Sequence, residues 1–351
     1  DNIYVQMKLT IVKEDDPEFV HNISKYANSQ NKVTAADLNS NHPFYIKMEE
    51  FSRKTFAPPV NNQPYQTLWF FERARGQYDQ PKMSMTKAER EKYTKLNPNN
   101  QKFTKTDLAK YLNSAAMKPY AVSKGAQLNL IDFQTDLEAQ WNKDKLSFNE
   151  LFYKDLISKA ILFKTIEKVI SEQDWYIENK AYRAQLVTYS FSKLIYEVKK
   201  NGNMELDYKT IWDKQSVPDY IIDEIINISK LCFDAFNDPN RTFNNIGEYT
   251  KRKDCWTIIK DKTYTLSEDT IDSLISKEEK KIEAISAKKD EKLNNSVMQE
   301  VEIFQLGIDY WNRVKQLGIE QNILNGRDIE FIDYAIKYCN GLVMGMSPAQ
   351  T

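Results

Sequence analysis

Between residues 72 and 125 the chain carries twelve basic and five acidic side chains, +7 in 54 residues. Arg73, Arg75, Lys102, Lys105, Lys110, Lys118 and Lys124 are interleaved there with Tyr78, Phe103, Tyr111 and Tyr120. Cations neutralise phosphates and aromatic rings stack on unpaired bases, so the mixture suits DNA, RNA or another polyanion. Long cationic stems covering a helical surface give the same letters. In Glu72-Arg73-Ala74-Arg75-Gly76-Gln77 the arginine forks match phosphate or carboxylate, and Gly76 marks a turn where backbone can approach a ligand. If a strand continues through this run, alternation puts Arg73 and Arg75 on one face and Glu72 on the other; a buried Arg–carboxylate network tying sheet to helices is the other reading. Thr104 or Thr106 can cap a helix that Asp107 begins. That leaves Lys105 beside a helix N-terminus, where an anion is favoured, or simply solvated. Asn28, Gln30 and Asn31 close an earlier helix. Their amides both donate and accept, enough to hold phosphates and base edges, or to bond a loop backbone.

Other chemistries are excluded by what is missing. The chain has two histidines, His21 and His42, too few and wrongly placed for HExxH zinc sites, facial triads or Ser-His-Asp constellations. The first arginine, Arg53, follows both histidines, so the motif of an Arg followed four to six residues later by a His does not occur. Nine glycines in 351 residues include no GxGxxG, GxxxxGK[ST] or GxSxG, which argues against a dinucleotide fold, a P-loop and a hydrolase elbow. Cys232, Cys255 and Cys339 are scattered and odd in number, the pattern of reduced thiols rather than of disulfides or zinc ligands. A restriction-type metal centre needs Glu-x-Lys on a strand. Glu197-Val198-Lys199 and Glu278-Glu279-Lys280 have the letters but lie in helical patterns. No metal and no cofactor is indicated.

The elements that must position these residues follow from periodicity. Ile3, Val5, Met7, Leu9 and Ile11 alternate as in a half-buried strand, and Thr67–Phe71 is the best second strand. A two-stranded sheet is marginal alone, so the chain is expected to continue a longer protein, with an exposed apolar patch beside its first strand; a small sheet edge packed on helices is the other reading. Helices are expected from Pro17 to about Ser29, from Phe44 to Phe56, and at about 86–96, 105–115 and 122–134. From Phe148 onward, Phe148, Phe152, Leu156, Ala160, Phe163, Ile166 and Ile170 form one stripe at three- and four-residue spacing. Val187–Val198, Ile221–Phe236 and Phe304, Ile308, Trp311 and Val314 repeat the pattern. The mixed-charge block from Ser276 to Lys292 reads as a solvated helix. The fold expected is mainly α, with a small mixed α/β N-terminal region at 1–135 and a multi-helix bundle at 136–351. No apolar run approaches the ~18 residues of a membrane span, and the expected location is cytoplasmic.

The polar blocks also carry a resemblance. Tyr26-Ala27-Asn28-Ser29-Gln30-Asn31-Lys32-Val33, Asn41-His42-Pro43-Phe44, Trp69 to Tyr78, Lys102 to Tyr111 and Val122 to Gln127 resemble, in the same order, successive blocks of the AIPR family, whose name stands for abortive infection phage resistance. The resemblance implies an antiphage protein. It also implies an upstream segment with an Asn-Gly-Gly-Gln-Thr-Thr motif, similar to that of ParB-like and modification-dependent nuclease domains, and places Asn28 where those domains carry a second motif. The aromatic and Arg that usually precede that Asn are replaced here by Ser24 and Tyr26. The function expected is nucleic-acid binding through Asn28, Gln30, Asn31, Arg73, Arg75, Gln77, Lys102, Lys105 and Lys124, supported by Glu72, Gly76 and Asp107, with a nuclease centre completed by upstream residues. The alternative is a helical interaction scaffold or sensor of a phage protein, for which a homo-oligomer is an expected form.

Overall fold

The computed structural model describes residues 42–60, 65–178, 181–321 and 323–343. The expected strand at Ile3–Ile11, the helix from Pro17 and the block around Asn28 lie outside them. Helix α1 (Pro43–Lys54) starts on proline, and the Nδ1 of its N-cap His42 accepts the Phe44 N–H at 3.2 Å. Proline suits that first position because its missing N–H has no intrahelical partner there anyway. The helix buries Phe44, Tyr45, Met48 and Phe51 and stops at Thr55, short of the expected Phe56, which belongs to strand β1 (Phe56–Ala57).

The expected Thr67–Phe71 strand is two pieces, β2 (Thr67–Leu68) and β3 (Phe70–Glu72). Trp69 interrupts them: its carbonyl accepts the Tyr153 hydroxyl at 2.9 Å and its indole N–H donates to Gln215 at 2.9 Å. Strand β2 pairs antiparallel with β1, while β3 pairs parallel with β4 (Lys102–Thr104), Phe71 opposite Phe103. These short ladders rest on helices, which supply the burial two strands lack.

Helix α2 (Lys87–Leu96), held by a Thr86/Glu89 capping box, buries none of its residues. Helix α3 (Lys105–Ala115) has the expected Thr104 cap, boxed with Asp107. The expected 122–134 helix is instead α4 (Pro119–Ser123) and α5 (Ala126–Lys143), divided at Gly125 with φ +97°. A left-handed residue ends a helix at little cost only when it lacks Cβ.

The bundle follows: α6 (Glu150–Ser171), α7 (Asp174–Ile177), α8 (Arg183–Lys200), α9 (Tyr208–Lys214), α10 (Asp219–Phe236), α11 (Ile246–Tyr249), α12 (Lys253–Asp261) and α13 (Glu268–Asp272). Helix α6 is central, packing on α3, α8, α9 and α10. The expected stripes are its interior: Leu156, Ala160, Phe163, Ile166 and Ile170 meet Val187, Phe191, Leu194, Ile221, Ile225 and Ile228 in one apolar core that runs from Phe44 to Leu274. Lys193 is fully buried within it, donating to Glu197 at 2.5 Å and to the carbonyls of Lys260 and Lys262.

Helix α14 (Lys277–Glu320) and α15 (Gly326–Cys339) form a separate hairpin. The mixed-charge block is its first four turns, capped by Ser276. It is fastened to the body as well as solvated: Lys280 pairs with Asp155, Lys288 with Asp144, and Glu291 with Lys47. The expected stripe at Phe304–Val314 is corrected, because Gly307 (φ +76°) breaks the helix. The freed Ile303 carbonyl accepts the Trp311 indole N–H at 3.0 Å, Ile303 packs on Ala335, and Phe304 is left 62% exposed. Among the described residues no helix is long and apolar enough to cross a membrane.

Candidate nucleic-acid interface

The motif after β3 closes on a carboxylate from α1. Glu49 accepts from Arg73 Nε at 2.5 Å, Gln77 Nε2 at 2.8 Å and Arg53 at 3.4 Å. Gln77 Oε1 accepts the Ala74 N–H, and Glu72 accepts the N–H of Gly76, whose φ of +86° forms the turn. Arg53 lies 3.6 Å from the Phe70 ring centre and donates to the Phe71 carbonyl, tying α1 to β3. The alternation expected for Arg73 and Arg75 fails because the strand ends at Glu72. Arg73 turns inward onto Glu49, while Arg75 is exposed. Glu72 also meets Lys102 at 3.7 Å. Glu72, Arg73, Gly76 and Gln77 thus share one network, the Arg–carboxylate tie that was the second reading of these letters. Glu49 and Arg53, its other members, were not singled out from the sequence; their only local signal is an i,i+4 pair on a helix. Asn28, Gln30 and Asn31 lie outside the described residues.

Three of the four interleaved aromatics are closed to bases, and the fourth, Tyr120, is half-buried with the Lys253 ammonium 5.5 Å from its ring centre. Tyr78, Phe103 and Tyr111 are buried. Tyr78 donates to the Asn97 carbonyl, and Phe103 stacks on Phe71 with centroids 5.2 Å apart. Nor is Lys105 solvated: it is 5% exposed, its ammonium 5.7 Å from the Tyr45 ring centre. Lys118 pairs with Asp132 and Asp136.

Two open places lie along the basic block among the described residues. The first is a cleft of about 510 Å³ where the 102–111 and 122–127 blocks meet, walled by Lys102, Asp107, Lys110, Lys164, Gly125 and Ala126. Asp107 accepts from Thr104 and from Lys110 at 3.0 Å. Burial pushes its carboxyl up, but the Lys110 charge and the Thr104 hydrogen bonds outweigh this and hold it below the ordinary range. Burial lowers the Lys164 ammonium, which donates to the carbonyls of Asn100 and Lys102. Lys124, exposed, precedes Gly125 at the cleft wall.

The second is a surface depression of about 520 Å³ lined by Lys87, Arg90, Glu91, Thr94, Lys95 and Tyr65. Tyr65 is 42% exposed. Lys87, Arg90, Lys92 and Lys95 are all exposed; Lys92 acts on Glu89 of the same helix through its charge, and none of the four makes a close salt bridge to a carboxylate among the described residues. They belong to the +7 count, yet were not singled out. Their signal was a capped helix with scarcely an apolar residue, whose cations have nothing to cover.

Among the described residues no cluster of three or more His, Cys, Asp or Glu side chains could hold a metal ion. Glu197 of the first Glu-x-Lys is buried against Lys193, and the second lies on α14. No curated protein and no solved structure matches the chain. The family model described as AIPR protein matches residues 1–240, from the polar blocks through α10. That span is more than half of the molecule, and it supports a role in abortive infection and phage resistance: the chain belongs to the AIPR family.

Proposed function

We propose that this chain serves phage defence by holding nucleic acid through its phosphates, on the surface formed by α2 and the rim of the Lys102–Gly125 cleft. The observation that carries the reading is α2 itself: four exposed cations that make no close salt bridge among the described residues, on a helix that buries nothing, beside an exposed Tyr65. Cations so placed neutralise phosphates and carry no base code, so the binding is independent of sequence. Lys102 and Lys124 at the rim and the solvent-facing Arg75 extend the surface. Arg73, Gln77 and Lys105 hold the fold beneath it. The buried aromatics remove the case for a run of stacked bases, leaving Tyr65 and the half-buried Tyr120, and duplex becomes the favoured ligand.

Each phosphate contact contributes about −0.9 to the slope of log affinity against log salt on duplex, and about −0.7 on single strands. The combined substitution Lys87→Glu, Arg90→Glu and Lys95→Glu is expected to weaken binding and to flatten the duplex slope by about 2 to 3, read by fluorescence anisotropy of a labelled oligonucleotide across a salt series. Lys277→Glu with Lys281→Glu on α14 is expected to change neither. Equal losses from both sets mean non-specific attraction. No binding by the intact chain moves the reading to an interaction scaffold.

A further inference from the structure

Helix α14 has three lateral faces between Glu291 and Gly307. One carries Ile303 onto Ala335 of α15, and a second turns Asn294, Asn295 and Met298 toward the groove against the body, where Met298 stays 68% exposed. The third carries Leu293, Val297, Val301 and Phe304, which are 64, 50, 44 and 62% exposed. Spacings of four, four and three put these side chains on one stripe of the helix, and Ile282, 66% exposed, lies three turns earlier on the same line. We propose that this stripe is a dimerisation surface, and that its occupant is the same stripe of a second copy of this chain, laid antiparallel about a two-fold axis.

Self-complementarity argues for that occupant. A two-fold interface sets one patch against itself. Read in either direction, the stripe runs large, small, small, large. End-for-end pairing therefore sets Leu293 opposite the second copy's Phe304 and Val297 opposite its Val301, with no bulky side chain forced against another at the centre. The charges agree. Lys289 and Lys292 precede the stripe, with Asp290 between them and Glu291 paired to Lys47, so that end is net basic. Glu300, which also accepts from Tyr338, and Glu302 follow its middle, while the stretch from Leu293 to Gln299 has no charge at all. An antiparallel pair brings the basic end of one helix within about a turn of the other's acidic end. A parallel pair would set like against like. The area is also adequate. Half-exposed side chains of this size leave on the order of 100 Å² each in water, so the four make about 400 Å² per chain, within the range of a functional patch. Pairing removes about 800 Å² from these alone, and the flanking polar residues bring the total to the ~1,000 Å² at which a specific interface begins.

The test is the mass of the chain in solution, by sedimentation velocity or light scattering from low to high micromolar concentration. The intact chain is expected as a dimer with a concentration-dependent monomer fraction. Val297→Arg with Val301→Arg should halve the mass while leaving the circular dichroism spectrum and the unfolding midpoint as they are, because both side chains already face water within one chain. Phe304→Lys, at the far end of the stripe, should do the same. An intact chain that is monomeric throughout the range overturns the proposal. So does a dimer that survives both sets of substitutions.

Discussion

Glu49 decides what the arginine motif does. Its carboxylate side chain is 19% exposed and Arg73's guanidinium side 21%, so the pair is desolvated enough to matter. Replacing Glu49 by Ala removes one acceptor of Arg73 and of Gln77 and is expected to cost about 1–3 kcal/mol, read as a lowered chemical-denaturation midpoint. Arg75→Ala, at a solvent-facing position, should stay within about 0.5 kcal/mol. Equal effects would mean that the network does not hold α1 to β3. The sequence left a phosphate site and an Arg–carboxylate tie both open for this run; it could not show which arginine was consumed, because the consuming carboxylate lies on a separate helix, α1. The same holds for Tyr78, Phe103 and Tyr111, whose burial is set by β3 and β4 meeting rather than by their own neighbours. His42 offers a second check. Burial pushes its imidazole down, with Glu138 opposing, and the neutral ring accepts the cap N–H of Phe44. A base whose folded value lies below its unfolded one is protonated first in the unfolded chain. Stability from this group is therefore present above about pH 6.5 and is lost as pH falls through the window below it. Denaturation midpoints should drop on acidification from about pH 7.5 to about pH 5.5 by more in the native chain than in His42→Asn, which keeps a cap acceptor that does not titrate in this range. An equal drop in both would assign the pH response elsewhere.

Helices were the legible elements, since a stripe at three- and four-residue spacing depends on nothing beyond the helix that carries it. The stripes from Phe148 to Phe236 became the core. Two of the helical readings failed at a glycine: Gly125 divides one expected helix, and Gly307 turns Phe304 out of the stripe that was to continue through Trp311. Periodicity counts apolar letters and is blind to a single residue in a backbone region of its own. At Gly307 a Cβ would meet nothing within 4 Å, so replacing it with Ala costs backbone strain rather than contact. The combination of φ +76° and ψ 169° is accessible almost only to glycine and costs a residue with Cβ about 1–3 kcal/mol. Gly307→Ala is expected to loosen the hairpin, including the 2.5 Å Lys315–Asp333 pair across it, and to speed tryptic cleavage at Lys315 and Arg327. The body's unfolding midpoint should not move, because Gly307 touches none of its core. Unchanged proteolysis would mean that the helix can continue through this position.

At the scale of the molecule, net charge and whole-chain composition concealed a division of labour. Residues 72–125 are +7, whereas residues 126–351 carry 30 basic and 37 acidic groups, so a balance near zero is the sum of a basic surface and an acidic bundle. The apolar core divides the molecule differently again. It closes between Phe44 and Leu274 without drawing on α14 or α15, whose own small core is centred on Ile303 and Ala335. What fastens the hairpin to the body is mostly ionic, Lys280 to Asp155, Lys288 to Asp144 and Glu291 to Lys47. Partly exposed pairs contribute about 0–1 kcal/mol each. A chain ending at residue 276 keeps the bridge between Glu205 and Ile275 and is therefore expected to fold cooperatively, with a loss of about 1–3 kcal/mol seen as a modest fall in unfolding midpoint. It should bind duplex with the full salt slope, since α2 and the cleft remain, and it should sediment as a monomer, since the Leu293–Phe304 stripe is gone. Loss of cooperative unfolding would show that the hairpin completes the core. Retained folding with a flattened salt slope would place part of the nucleic-acid surface on α14.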